Sequence, residues 1–481
     1  MNKYILLLLL FIVYLTGIAN AQTSITFNTK TDFATGIKPV SVSSSDLNGD
    51  GKLDLVVANE VSNSVSVFLN TTTSGTSAPS FSIKTDFSTG DSPVFVSIGD
   101  LNGDGKPDFV VVTDKGNADN VLVFLNTTSI GASTPSFSKT NVAQMVFGLN
   151  SVSIGDLNGD GKLDLAVIES NTLSLLLNTT TIGDSISSFS LLPDVNIGSS
   201  AQQVVIGDLN GDGKPDLTIT DEFHNEVQIL LNFTTTGDST LSLSGRFQFT
   251  TGADPRSVSI GDLNGDGKPD LAVVNGSSNT NSVSVLLNTT TTGASTPSFS
   301  DRTDFPTGSF SVFVSIGDLN GDNKPDLAVA NSGFNANSVS VLTNTTTAGD
   351  STPTFASKTD FTVGISPRSL SIGDFNGDGK LDLAVPNYGS DNISILINTT
   401  IITGINEVIN FIPSEFKLKQ NYPNPFNPST NISFSILKES FVTLKIYDVL
   451  GKEVAQLVNQ QLKTGNYNFS FDAASGSNRI T

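Results

Sequence analysis

One nine-residue string returns seven times along the chain. DLNGDGKLD begins at Asp46, DLNGDGKPD at Asp100 and DLNGDGKLD at Asp156. DLNGDGKPD begins at Asp208 and again at Asp262, DLNGDNKPD at Asp318 and DFNGDGKLD at Asp374. The spacings are 54, 56, 52, 54, 56 and 56 residues. A period this steady means an array of supersecondary units.

Each unit has the same internal grammar, which the fifth shows well. Residues 257–260 alternate, the loop follows from Asp262, and residues 271–274 are an apolar run. A polar turn leads to a second alternating run at 282–287. A Ser/Thr/Gly-rich turn then leads to a Phe-bearing run at 298–305. Alternation and β-branched residues make each run a strand, and no stretch keeps a helical period. Four strands in each of seven units predict an all-β, seven-bladed β-propeller over residues 22–402. An open solenoid of stacked hairpins is the alternative. The seventh unit stops after its third strand at Asn398-Thr399-Thr400, while residues 24–33 form a Phe-type strand before the first loop. The first strand is therefore expected to complete the last blade and close the ring, leaving only short edges.

Composition narrows the function. Lys and Arg number 25 against 46 Asp and Glu, a net charge of −21, which opposes binding to nucleic acid or to anionic membrane. With no Cys there is no disulfide, zinc thiolate or thiol nucleophile. His224 is the sole histidine, so multi-histidine metal sites are excluded.

The loop itself points to calcium. Positions 1, 3 and 5 are Asp, Asn and Asp, and position 9 is Asp, so oxygens converge on one side of a tight turn. Position 7 is always Lys and would offer its backbone carbonyl. The predicted ligands are Asp46, Asn48, Asp50, Lys52 and Asp54, and Asp100, Asn102, Asp104, Lys106 and Asp108 in the next unit. They continue as Asp156, Asn158, Asp160, Lys162 and Asp164, then Asp208, Asn210, Asp212, Lys214 and Asp216. Asp262, Asn264, Asp266, Lys268 and Asp270 follow. The last two sets are Asp318, Asn320, Asp322, Lys324 and Asp326, and Asp374, Asn376, Asp378, Lys380 and Asp382. Position 6 is Gly in six copies and Asn323 in the sixth, a residue that tolerates positive φ. All-oxygen ligation favours Ca²⁺ over transition metals. Asx turns without metal are the alternative, but three carboxylates packed together without a cation repel one another. About seven Ca²⁺ are expected, bringing −21 to −7.

The DxNxDGxxD pattern resembles the EF-hand loop, without Glu at position 12 and with strands in place of helices. Its period and β context resemble the FG-GAP/VCBS repeats of integrin α-subunit propellers and their bacterial relatives, over residues 24–400. That resemblance implies a loop joining the first two strands of each blade and holding calcium. Gly-x-x-Pro segments at 36–39, 90–93, 252–255 and 364–367 fit it. Ser151, Ala201 and Ser311 depart from it, and Thr-Gly mostly replaces Phe-Gly. An integrin-like ligand mode is therefore not implied.

The two ends are different in kind. Lys3, an apolar run at 5–15 and Ala19-Asn20-Ala21 read as a secretory signal peptide over 1–21. The run is too short to span a bilayer, so no membrane insertion is expected after cleavage. Residues 403–415 read as a linker. Residues 416–481 read as a small Ig-like β-sandwich, with strands at 432–436, 442–447 and 467–471. NYPNPFNPST, LKIYDVLGKEV and GNYNFSFD resemble the type IX secretion C-terminal sorting domain of Bacteroidota. The resemblance implies handling by the type IX secretion machinery and a secreted or outer-membrane-surface location. The pattern departs after Asp472, as a shortened terminus would.

The leading functional expectation is a non-catalytic, calcium-binding protein that holds an extracellular protein or glycan. A lyase-like, polysaccharide-active enzyme is the rival, with His224 and Tyr388 as its few acid/base candidates between residues 22 and 400. A structural spacer is the third possibility. Asn-x-Thr sequons end the third strand of every unit and read as turn formers rather than glycan acceptors.

Overall fold

The computed structural model describes residues 24–401, apart from 115–118, 146–147, 199, 278–280 and 334–336. Beyond these it describes 417–418, 429–436, Lys438, 440–447, 452–462, 465–472 and 478–480. The leader and the linker expected at 403–415 lie outside the described residues. The chain divides into two compact units between Ile402 and Thr403.

The first unit is a ring of seven antiparallel sheets. β1 (Thr31–Ala34) stands apart at the start. β2 (Pro39–Ser45), β3 (Asp54–Asn59), β4 (Ser64–Phe68) and β5 (Thr85–Ser88) then pair in sequence order as the first blade. The next five blades repeat that order. In the seventh, Ser371–Gly373, Asp382–Asn387 and Asn392–Leu396 lack a fourth strand of their own, and β1 supplies it. Thr31 pairs with Ile395 and Ala34 with Asn392, and Phe27 bridges to Asn398. The ring is closed as the sequence implies.

The middle strands explain the apolar runs. Every residue of β3 and β4 is buried, because both faces of a blade pack on neighbouring blades. Leu55, Val57 and Phe68 of the first blade share a core with Ala384, Ile393 and Ile395 of the last. Edge-to-face phenylalanine pairs add a second set of inter-blade contacts. Phe33–Phe81, Phe87–Phe137, Phe249–Phe299 and Phe305–Phe355 lie 4.9–5.2 Å apart, and Phe27–Phe361 lies at 4.9 Å at the closure.

The fourth strand differs from expectation. In the fifth blade it is not one run over 298–305. Phe299 makes a single bridge to Asn288, and a short strand follows at Thr303–Pro306. The interruption falls at Ser300, whose hydroxyl accepts the Leu287 N–H at 3.0 Å in place of a ladder carbonyl. Ser82 and Ser244 do the same for Leu69 and Leu231.

The second unit is all-β. Lys417–Leu418, Ser429–Ile436, Gly465–Asp472 and Asn478–Ile480 form one sheet, and Ser440–Tyr447 pairs with Glu453–Leu462 in another. Phe434 and Ile436 meet Val458 and Leu462 in a small shared core. The strand Glu453–Leu462 was not legible in the sequence. Register shifts between Leu444 and Lys445, and between Ile446 and Tyr447, break the period-two pattern that would mark it. No helix among the described residues is long and apolar enough to cross a membrane.

Candidate functional site

The first strands of all seven blades line a central channel, with Val42, Ser97, Val152, Val205, Ser259, Ser315 and Ile372 among the wall residues. The seven loops leave the C-terminal ends of these strands. What precedes the strands lies at the opposite mouth, about 20 Å away for a seven-residue strand.

Each loop is a nest of Asx turns. In the first, Asp46 Oδ1 accepts the Asp50 N–H at 3.0 Å and its Oδ2 accepts the Gly51 N–H at 2.7 Å. Asn48 Oδ1 accepts the Asp50 N–H and Asp50 Oδ1 accepts the Lys52 N–H. The same four bonds recur in the fifth loop and in the sixth. The sharp turn needs left-handed backbone at position 6: Gly51 has φ 84° and Asn323 φ 63°. Asn323 takes that conformation and still donates to Asp318 Oδ2 at 2.7 Å.

Position 9 is the buried member. Asp54 is 0 % exposed, and its two oxygens accept the Leu47 and Asn70 N–H groups at 2.8 and 2.7 Å. Burial pushes the carboxyls of Asp54, Asp326 and Asp382 up to about 7. It pushes those of Asp108, Asp164, Asp216 and Asp270 up to about 6. The two backbone N–H donors pull each back, and the neighbouring loop carboxylates push it further up. A buried carboxylate beside two others is electrostatically incomplete, and the donor set is entirely oxygen. These residues fit a hard divalent cation.

Two features of the loops escaped sequence reading. Asn48 points its carboxamide both ways: Oδ1 closes its own loop, while Nδ2 donates to Ala132 O of the next blade at 3.1 Å. Asn102, Asn158, Asn210, Asn264 and Asn376 make the same reach. Position 3 is Asn because a carboxylate has no hydrogen to donate there. The sequon asparagines are the second feature. Asn126 is 2 % exposed, and its Nδ2 donates to Pro107 O of its own loop at 3.0 Å and to Leu47 O of the preceding blade at 2.8 Å. Its Oδ1 accepts the Thr128 N–H at 2.9 Å. Asn70, Asn178, Asn232, Asn288, Asn344 and Asn398 repeat the bridge, so all seven blade junctions carry it. They are turn formers and also clasps, with both amide hydrogens engaged.

At the other mouth the blades stop being alike. Six residues before each loop stand Val40, Val94, Asn150, Gln202, Arg256, Val312 and Arg368, and all line one cavity of about 390 Å³. In six blades the register shifts at this point, so the residue belongs to a bulge that re-aims its side chain. Two residues earlier the backbone is left-handed at Lys38, Ser200, Asp254, Phe310 and Ser366. Aligning the seven units on their loops and looking for the column that varies would have found this ring.

The two acid/base candidates lie on this side of the molecule. Tyr388 packs beneath Arg368 and Lys38, and its hydroxyl bonds Glu60; burial and that carboxylate raise its pKa above the ordinary phenol value. His224 is 47 % exposed, with Nδ1 2.8 Å from Asp221 Oδ2, and Glu226 completes a cluster of three possible ligands. The sequence reading brought neither Asp221 nor Glu226 into a site.

Comparison with known proteins agrees with the architecture. An FG-GAP-like repeat matches residues 46–111, 100–167, 156–219, 224–273, 262–329 and 318–385. A secretion system C-terminal sorting domain matches residues 420–477, and the chain is secreted or attached at the cell surface. No curated protein matches it in sequence. Among solved structures, it resembles BBS1N in complex with ARL6DN, soaked with mercury, at 15% identity and a TM-score of 0.49, covering 78% of this chain and 97% of that one. It also resembles a catalytically inactive virginiamycin B lyase from Staphylococcus aureus with quinupristin, at 14% identity and a TM-score of 0.46, covering 79% and 100%. A ring of seven blades with one matching loop in each leaves a plain conclusion: the chain belongs to the FG-GAP-like repeat family.

Proposed function

We propose that the protein is a calcium-loaded binding propeller, exported to hold an extracellular protein or glycan rather than to transform it. The observation that carries the reading is the sevenfold loop with a buried, raised-pKa carboxylate at position 9. Asp at positions 1, 5 and 9, Asn at position 3 and the Lys carbonyl at position 7 would hold each ion. Bound Ca²⁺ would neutralise the clustered carboxylates, and in a chain without Cys it takes the stabilising place of disulfides. Extracellular modules bind calcium at about 10⁻⁴ M, so the sites should load outside the cell. Metal analysis of calcium-dialysed protein should return about seven ions per chain, and one or none would end this assignment.

A second reading rests on the His224–Asp221 pair. An imidazole oriented by a buried carboxylate is a general-base arrangement. Incubation with polysaccharides and analysis for shortened products separates the two. Products that vanish in His224→Ala would replace the binding reading with an enzymatic one.

A further inference from the structure

Arg256 and Arg368 stand two blades apart on the wall of the variable mouth. In a chain with 46 acidic groups, an arginine has carboxylates close by on most of the surface. Arg368 nevertheless makes no ion pair among the described residues. Its guanidinium is exposed and held over the Tyr388 ring at 4.7 Å, and Lys38 lies over the same ring at 4.6 Å. Arg256 lies over Phe310 at 4.9 Å, its contact with Glu222 is long at 3.6 Å, and its buried Nε has no hydrogen-bond partner. Gly276 makes room for it, since a Cβ there would sit 2.3 Å from Nε. Both guanidinium groups are thus oriented by stacking; Arg256 keeps one long contact with Glu222 and an unpartnered Nε, and Arg368 has no carboxylate partner among the described residues.

Glu60 is the one acidic residue lining the cavity, and the Tyr388 hydroxyl engages it; Glu222 lies beside the wall, where Gln202 Nε2 donates to it at 2.7 Å. With Glu222 included, two arginines face two carboxylates, so this mouth is neutral in a chain of −21. Asn150 and Gln202 add carboxamides whose nitrogens donate to Ala201 O at 2.9 Å and to Glu222 at 2.7 Å, so each presents its oxygen as an acceptor for a hydroxyl, and Val94 and Val312 add apolar wall between the polar residues. Stacked arginines read carboxylates, carboxamides read hydroxyls, and shallow valines suit the C–H face of a sugar ring. A bound peptide would instead want a deep apolar pocket for an anchor side chain. We infer that this mouth binds an acidic, uronate-bearing glycan, with Arg368 and Arg256 as its carboxylate readers. This deepens the binding reading and rests on it.

The test is calorimetric titration of the full-length secreted chain, in calcium and physiological salt, with a hyaluronan hexasaccharide and its carboxyl-reduced form. The acidic sugar should bind at least about tenfold more tightly than the neutral one. Arg368→Gln should remove about tenfold of that affinity, and Arg256→Gln a similar amount. Arg368 is exposed, so its variant should keep the parent melting temperature and calcium content, which are measured alongside. Equal affinity for both sugars, or acidic binding unchanged in Arg368→Gln, overturns the inference. An immobilised panel of matrix proteins and neutral glycans runs in parallel. Retention there without hexasaccharide binding sinks the mouth assignment and leaves the binding reading standing. No retention in either experiment sinks both.

Discussion

Replacing Asn126 by Ala removes one of the seven inter-blade clasps. Three hydrogen bonds go at once, to Leu47 O, Pro107 O and from the Thr128 N–H. The site is 2 % exposed, so water cannot easily replace them. At about 1 kcal/mol for each net bond, with two buried carbonyls left unpaired, the loss is about 3 kcal/mol. Unfolding entropy for a ring of about 380 residues is about 0.8 kcal/mol per degree, so the melting temperature should fall by about 4 °C. Scanning calorimetry in excess calcium measures this, and a fall under about 1 °C would refute the clasp. The exposed neighbour Thr127 serves as control. Its Thr127→Ala variant loses a surface contact with Ser136 and should move the melt by no more than about 1 °C.

Further outcomes follow from the loops. In chelator, the seven position-9 carboxyls titrate above their unfolded value of 3.8, so the folded state binds more protons than the unfolded one. Their protonated form is favoured on folding, and stability should fall as pH rises from about 5 through 7. Calcium should abolish that slope, and an apo melt that rises over this range would contradict it. Gly213→Ala should cost about 1–2 kcal/mol by thermal melting, purely through the backbone. Position 6 there has φ 84°, and nothing lies within 4 Å of an added Cβ. Asn264→Asp should lower stability in chelator by about 1 kcal/mol through loss of the bond to Asp350 O. It should also tighten calcium at that loop, by adding charge to the ligand set, as read by competition with a fluorescent chelator.

Much of this molecule was legible because its signals are local and repeated. Val and Leu at successive positions of β3 mark a strand buried on both faces, and the loop residues at 46–54 announce their own turn through glycine placement. Closure by β1 was readable from a strand missing at one end and present at the other. The features that stayed hidden depend on partners far away in sequence. Asn126 reaches Leu47 across 79 residues, and nothing in Asn-Thr-Thr says that its amide faces another blade. The mouth stayed hidden for a different reason. Its residues are ordinary Val, Asn, Gln and Arg, and become a site only when the closed ring, with a bulge in six of its seven first strands, brings them round one axis. The strand at Glu453–Leu462 lost its pattern to a bulge of the same kind.

The borrowed strand of the seventh blade also sets a timetable. Thr31 must wait for Ile395, 364 residues later, before either has its partner. Until then the growing ring carries two open flanks, one on the outer side of an unfinished sheet and one on the first blade's bare face. A nascent chain in that condition is a template for its own copies, and any truncation before Asn392 would make the condition permanent. Once shut, the two ends lie side by side, with the Thr399 N–H bonded to Thr26 O at 2.8 Å. A permuted gene that joins them and opens the ring between two middle blades should give the same circle with its seam relocated. Comparing the aggregation of the two during refolding would show how much of the hazard belongs to the seam and how much to the blades.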